Sequence, residues 1–339
     1  MVKLGSSLVT DGAGRVRRRV LEQRAADIAA LREDACIVSS GAIALGLPLL
    51  GLRRRPRATP QLQAASAAGQ VRLQLAWEDA LRHHGLRSAQ VLLTAADLAE
   101  RSSYVNARNA LRALLRLGVV PVLNENDATA TDEITFGDND ALAAQVAVLL
   151  GARLLVLLSE VDGVYDAHPA DAAARRLPSG DAVDGATLGP GGPLGRGGME
   201  SKVMAARLAA GAGIPTVIGS GYGDGIVTAI AAGEPRGTRF RAHGSPASAF
   251  RLWLQHAKPS AGTLVIDDGA RGAIVGEGRS LLAVGVVDCE GDFAAGDAVE
   301  LVALDGARVG KGLAGASAAH LRGRPRDIEA VHRDRLVLY

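Results

Sequence analysis

From the N-terminus to about residue 233, short β-branched or leucine-rich runs alternate with longer segments whose apolar residues recur at helical spacing. That alternation leaves few folds open, because strands joined by crossover helices pair in parallel and need helices on both faces of the sheet. The predicted architecture is therefore α/β, with an open, mostly parallel sheet. Strands are expected over residues 2–8, 35–39, 89–93, 119–123, 154–158 and 214–218. Helices are expected over 20–32, 61–83, 104–117, 140–150 and 199–210, where apolar positions fall on one stripe. In such sheets ligands bind outside the carboxyl ends of the strands, so the loops there hold the functional candidates.

The periodicity lapses over 234–249, a stretch rich in Gly, Pro, Ser and Arg, and the linker is sought there. Beyond it the texture is that of a small, mainly β domain, with strands expected over 262–266, 282–287, 298–302 and 307–313 between Asp-Gly turn signals. A length of 339 residues suits two domains, and the expected bounds are 1–240, a linker at 241–257, and 258–339. Hydrophobic residues reach 48% against 22% charged, enough for a sizeable core. Cys36 and Cys289 match no metal or redox spacing, so no disulfide framework is expected. The most apolar stretch, 142–158, is broken by Gln145 and Arg153 and falls short of the roughly 18 residues of a membrane span. No signal-peptide core is present at the N-terminus, and a cytoplasmic protein without a membrane partner is expected. The net charge of +2 excludes strong whole-molecule attraction to nucleic acid. In 251–339 eleven Lys or Arg stand against twelve Asp or Glu, which predicts weak or absent RNA affinity for the second domain.

Two residue types are scarce, and their placement is informative. Only four of the 38 basic residues are lysines, namely Lys3, Lys202, Lys258 and Lys311, and all five asparagines fall within 106–139. A retained lysine is a candidate for work that needs a compact point charge rather than a guanidinium fork. Lys3 lies in Val2-Lys3-Leu4-Gly5-Ser6-Ser7, a strand running into a Gly-Ser turn whose backbone N–H groups can approach an anion. Lys202 ends the stretch 189–202, which packs six glycines ahead of a helix, and a helix N-terminus reached through glycines can cradle phosphate. Either motif alone is equally an ordinary turn, but both lysines of the α/β domain sit in glycine-rich turns, which favours a phosphate role. No GxxxxGK[ST] occurs, so this is not a Walker A loop. In Ser39-Ser40-Gly41-Ala42-Ile43 the amides of Ser40, Gly41 and Ala42 open a helix and can receive a carboxylate or phosphate. Asn124-Glu125-Asn126-Asp127 and Gly137-Asp138-Asn139-Asp140 crowd carboxylates and carboxamides that can hold an ammonium group, a lysine or Mg²⁺ water. Helix capping needs one such residue, and these loops supply many. His332-Arg333-Asp334 imitates a protein-kinase catalytic loop without a downstream Asp-Phe-Gly and is discounted.

Taken together these motifs, with Gly197-Gly198-Met199-Glu200-Ser201-Lys202, resemble the glutamate 5-kinases of the amino acid kinase family, which open proline biosynthesis. Residues 259–274 resemble the PUA domain that many of them carry. The resemblance implies the amino acid kinase fold with a small PUA-like domain, and ATP-dependent phosphorylation of the side-chain carboxylate of L-glutamate to glutamyl 5-phosphate. By resemblance, Lys3 and Lys202 contact the phosphates while Asp140 holds them in place. Ser40, Asp127 and Asn139, with Gly41 and Ala42 of the same turn, match glutamate-binding positions. Gly5, Ser159, Glu160 and the run Arg196, Gly197, Gly198, Met199, Glu200, Ser201 and Lys202 match ATP-binding ones. Mg²⁺ is the expected companion of ATP, and no dedicated metal ligands are assigned. Feedback inhibition by proline, a homo-oligomeric kinase domain and hand-over of the labile product to glutamyl phosphate reductase are also implied. Two departures stand out: only two residues precede Lys3 where the family has several, and Ser159-Glu160 replaces the commoner Ser or Thr followed by Asp.

The chemistry agrees with the resemblance. A glutamate carboxylate, with a pKa of about 4.3, is already ionised at neutral pH and needs no general base. Positioning and charge neutralisation remain to be supplied, and no His or Cys nucleophile stands out. Kinases of acetylglutamate, aspartate, carbamate or nucleoside monophosphates are the nearest rivals, and the second domain argues against them. An RNA-binding protein whose β domain does the work is the rival from another class.

Overall fold

The structure, a computed structural model, describes residues 1–129, 139–171, 173–183, 198–244, 254, 260–323, 325 and 327–339. Contacts divide the chain into two units, Met1–Pro246 and Ala247–Tyr339.

The first unit is built on a seven-stranded sheet of order β3-β4-β2-β1-β5-β8-β9. Its strands are β1 (Val2–Leu4), β2 (Ile37–Ser39), β3 (Arg87–Leu93), β4 (Val119–Glu125), β5 (Leu155–Ser159), β8 (Thr216–Ser220) and β9 (Thr238–Phe240), while β6 (Val164–Tyr165) and β7 (Arg176–Leu177) form a separate hairpin. All pairings are parallel except that of β9 with β8. The helices are α1 (Ser6–Val9), α2 (Arg18–Leu31), α3 (Ala42–Gly46), α4 (Thr59–Arg82), α5 (Ala95–Ala99), α6 (Arg101–Arg116), α7 (Asn139–Leu150), α8 (Met199–Gly211) and α9 (Ile226–Ala231). Strands β1, β2, β4 and β5 lie inside the sheet and are almost wholly buried, and residues 119–123 of β4 and 155–158 of β5 read as unbroken rather than alternating apolar runs. One core joins Leu4 and Leu158 of the sheet to Leu21 and Ile28 of α2 and to Leu73, Trp77 and Leu81 of α4. Neighbours β1 and β5 hand the chain on in opposite directions across the sheet, to β2 and to β8, which makes their carboxyl ends the topological switch point where such sheets bind ligands.

Several expectations need correction. The strand expected over 2–8 ends at Leu4, because the chain turns at Gly5 and winds into α1 from Ser6. The aperiodic stretch 234–249 contains β9, three residues whose pairing with β8 no periodicity could reveal. Helices α3, α5 and α9, of five or six residues, are each shorter than two turns and left no pattern to read.

Two helices of this unit approach without side chains between them. A Cβ on Gly69 of α4 would stand 1.9 Å from Ala42 O, and one on Gly46 of α3 would stand 1.8 Å from Ala65 O. Helices α3 and α4 therefore meet backbone to backbone. Gly69→Ala is expected to destabilise the first unit by about 3 kcal/mol, since overpacking against rigid backbone outweighs the roughly 1 kcal/mol that Ala gains in helix propensity. A urea midpoint at or above wild type would contradict this contact.

The second unit is a six-stranded sheet of order β11-β15-β14-β13-β10-β12. It comprises β10 (Ser260–Ile266), β11 (Leu281–Leu282), β12 (Val286–Gly291), β13 (Ala298–Ala303), β14 (Arg308–Ala314) and β15 (Glu329–Leu338), with helices Asp268–Glu277 and Ala318–Arg322. Leu264, Ile274, Leu301, Leu321 and Val331 share its core. The strand expected over 282–287 is broken by a 3₁₀ turn, Ala283–Gly285, into β11 and β12. His332, Arg333 and Asp334 lie within β15, a strand the sequence reading did not anticipate.

Candidate active site

The centre of β1 is buried, yet it is a lysine. Lys3 is 3% exposed, and its Nζ lies 2.6 Å from Oδ1 of Asp140, in the first turn of α7. Lys202, in the first turn of α8 and 7% exposed, brings its Nζ to 3.1 Å from Oδ2 of the same carboxylate. Ser201 Oγ donates to that oxygen at 3.0 Å. Burial by itself would raise the Asp140 carboxyl, but the Lys3 and Lys202 ammonium groups outweigh it and hold the group at about 2. Among the described ion pairs two buried cations thus share one anion, one positive charge more than negative, where exclusion of water makes charge act strongly. This cluster sits beside the N-terminus of α8, whose extended Gly198 is capped by no described side chain. Dipole and surplus charge both favour an anion there.

A second polar cluster lies on the β4 and α4 side. Asn124 Nδ2 donates to Gln70 Oε1 at 2.7 Å, and Asn124 Oδ1 accepts from Asn139 Nδ2 at 2.9 Å. Asn139 Nδ2 also donates to Ser40 Oγ at 2.9 Å, while its Oδ1 accepts from the Glu125 N–H at 3.1 Å. Both Asn139 amide protons are thereby used, and Ser40 Oγ is an acceptor. Among the described residues no hydrogen bond donated by the Ser40 hydroxyl is seen beside the one it accepts from Asn139. Gly41, with φ +116°, carries the chain into α3. Asp127 Oδ2 accepts from Ser66 Oγ at 2.6 Å, but the buried Oδ1 has no hydrogen-bond partner among the described residues. Burial pushes the Asp127 carboxyl above its usual range, against the opposing hydrogen bond from Ser66 and the charge of Arg55. A buried oxygen lacking a donor costs on the order of 1–3 kcal/mol, and a cation would relieve it.

At the other end, Gly5 follows β1 and Ser159 ends its neighbour β5. The Gly221 N–H donates to Ser159 O at 2.7 Å, and Tyr222 Oη lies 3.5 Å from Glu160 Oε1. Gly198, Met199, Glu200 and Ser201 form the start of α8. Arg196 and Gly197, like Gly137, Asp138 and the glycine run 189–197, lie outside the described residues. The structure brings Lys3, Lys202 and Asp140 together, and separately Ser40, Asn139, Asn124 and Gln70. Ser66 and Gln70 were missed in the sequence. The available signal was two polar residues four apart on an otherwise apolar helical face.

A parallel sheet that gathers two lysines, one carboxylate and a helix N-terminus at its switch point defines a phosphoryl-transfer enzyme of the α/β class. Residues 1–220 match the amino acid kinase family, and residues 262–331 match the PUA domain. A glutamate 5-kinase of Pseudomonas entomophila is 44% identical over all of this chain and 97% of its own length. One from Bordetella parapertussis is also 44% identical, over all of this chain and 95% of its own. A solved isopentenyl phosphate kinase superposes with a TM-score of 0.50 at 22% identity, over 70% of this chain and 98% of that one, a likeness of fold alone. The chain belongs to the amino acid kinase family, within its glutamate 5-kinases.

Proposed function

We propose that the site transfers the γ-phosphoryl group of ATP to the side-chain carboxylate of L-glutamate, the activity for which its relatives are named. The observation that carries this reading is the convergence of Lys3 and Lys202 on Asp140. Lys3, Lys202 and the first N–H groups of α8 hold the phosphates, and Asp140 aims both ammonium groups. The Ser40 proton and the Gly41 and Ala42 amides take a carboxylate of the substrate, Asn139 fixes Ser40, and Asp127 Oδ1 takes the α-ammonium. Gly5, Ser159 and Glu160 flank the nucleotide. In the reaction the bond from the γ-phosphorus to its bridging oxygen breaks, ADP leaves, and a carboxylate oxygen makes the new bond. No proton moves. The obstacle is repulsion between two anions, which preorganised positive charge lowers in the transition state. Among the described residues no cluster of three His, Cys, Asp or Glu side chains forms a metal cage. A Mg²⁺ ion bound with the nucleotide phosphates would add charge neutralisation.

We further infer that proline, which shares the α-amino and α-carboxylate groups of glutamate, competes at Ser40 and Asp127. Assembly of the kinase unit into a homo-oligomer, hand-over of the acyl phosphate to a reductase and a cytoplasmic location belong to the same proposal. No helix among the described residues is long and apolar enough to cross a membrane.

Trapping the acyl phosphate with hydroxylamine, with glutamate, acetylglutamate and aspartate compared, tests the substrate. Hydroxamate from glutamate alone is expected, and equal yield from acetylglutamate would remove Asp127 from ammonium recognition. Asp127→Asn is expected to raise the glutamate KM about 10- to 100-fold, the worth of a hydrogen bond to a charged group. Because the Asp127 carboxyl is raised, it loses its charge as the pH falls through that raised value, and the glutamate KM should climb on the acid side. Steady-state kinetics against pH should show this component absent from Asp127→Asn.

A further inference from the structure

Helix α2 carries a buried ion pair that phosphoryl transfer does not use. Arg24 is 0% and Asp27 3% exposed, and Arg24 Nε lies 2.9 Å from Asp27 Oδ2. The remaining guanidinium nitrogens go to the backbone of a distant loop, Nη1 donating to Gly221 O at 2.6 Å and Nη2 to Gly223 O. Asp27 Oδ2 also accepts from the Val227 N–H at 3.1 Å, in the first turn of α9. One residue before Arg24, Gln23 Nε2 donates to Asp224 Oδ1 at 2.7 Å. Three side chains of one helix thus grip the turn 221–227. Burying an ion pair brings little net stability, and an apolar pair would anchor α2 as well. What the guanidinium supplies is geometry, a planar fork that fixes two carbonyls at once.

The far side of this loop meets the strand ends that carry the nucleotide candidates. Gly221 donates its N–H to Ser159 O, and Tyr222 Oη reaches towards Glu160. Gly221 also packs so closely on Leu8 of α1, the helix that follows Gly5, that a Cβ would stand 2.2 Å from a Leu8 methyl carbon. We propose that Arg24, balanced by Asp27, is a positioning residue for the nucleotide: it fixes the loop 220–225 as the wall that holds Ser159, Glu160 and the Gly5 turn in their ATP-binding arrangement. The proposal rests on the assignment of Ser159 and Glu160 to the nucleotide. Arg24 touches no substrate and acts through the loop backbone.

Calorimetric titration of a non-hydrolysable ATP analogue into the full-length protein tests this. Arg24→Lys keeps the charge beside Asp27 but loses the fork, and Asp224→Ala cuts an exposed tie to the same loop without threatening the fold. Loss of preorganisation of this kind is expected to weaken analogue binding about tenfold in Arg24→Lys and about two- to threefold in Asp224→Ala, with the glutamate KM within about twofold of wild type in both. Unchanged analogue affinity in Asp224→Ala overturns the proposal, as does a parallel rise in the KM of both substrates. Should Arg24→Lys fail to fold, Asp224→Ala decides alone. The titration needs no acceptor, so a wild-type protein that binds the analogue but forms no glutamyl hydroxamate would sink the glutamate assignment and leave this one standing.

Discussion

Replacing Lys202 with alanine is expected to lower kcat about 10³-fold while the glutamate KM stays within about twofold, the signature of an interaction made chiefly in the transition state. The variant should fold, because Asp140 retains Lys3 at 2.6 Å and Ser201 at 3.0 Å. Charge moves from the γ-phosphoryl oxygens to the ADP leaving group as the bond breaks, and in the proposed reaction the buried Lys202 ammonium neutralises it with little reorganisation. Lys202→Arg should rescue only in part. A guanidinium is a planar fork rather than a compact charge, and the space beside Asp140 is already shared with Lys3 and Ser201. Turnover of Lys202→Ala within tenfold of wild type would refute the assignment of this lysine to the migrating group.

Asp140→Ala carries the largest expected cost in stability. It leaves the Lys3 and Lys202 ammonium groups buried, close together and without their shared counter-ion. Removing one partner of a buried ion pair typically costs about 3–5 kcal/mol, which for a unit of this size lowers the melting midpoint by roughly 10 °C. The pH dependence stems from the depressed carboxyl. With a folded value of about 2 against 3.8 unfolded, the ion pair contributes its full stability above pH 4 and loses it as the pH falls toward 2. Urea unfolding across that range should show the acid-side decline in wild type and a shallower one in Asp140→Ala. Sulfate should raise the melting midpoint of the variant more than that of wild type, since an external anion can take the place of the missing carboxylate. A variant as stable as wild type in the absence of anions would mean that the two lysines do not depend on Asp140 as their counter-ion.

The strands of the inner sheet were legible because burial on both faces leaves a mark in composition: Leu155, Val156, Leu157 and Leu158 admit no polar residue. Long helices such as α4 and α8 were legible because two or more turns display the 3.6-residue period. What escaped was short or depended on a remote partner. The three-residue β9 is a strand only because β8 offers it an edge. Ser66 and Gln70 looked like imperfections on a buried helical face, and they belong to the site because Gly69 and Gly46 let α4 approach α3 without side chains between them.

The amino-acid sequence by itself determined the α/β architecture, the change to β texture in the second unit, and a short set of candidate site residues, since hydrophobic period and residue scarcity are local properties. Tertiary structure decided that one carboxylate serves two lysines, that Asn139 hydrogen-bonds Ser40, and that Arg24 reaches the loop after β8. These bonds span 62, 99 and 197 residues of chain respectively. Whether a charge is a surface ornament or a reactive group depends on its distance to other charges and on the water excluded around it, and both are set only when the chain closes on itself.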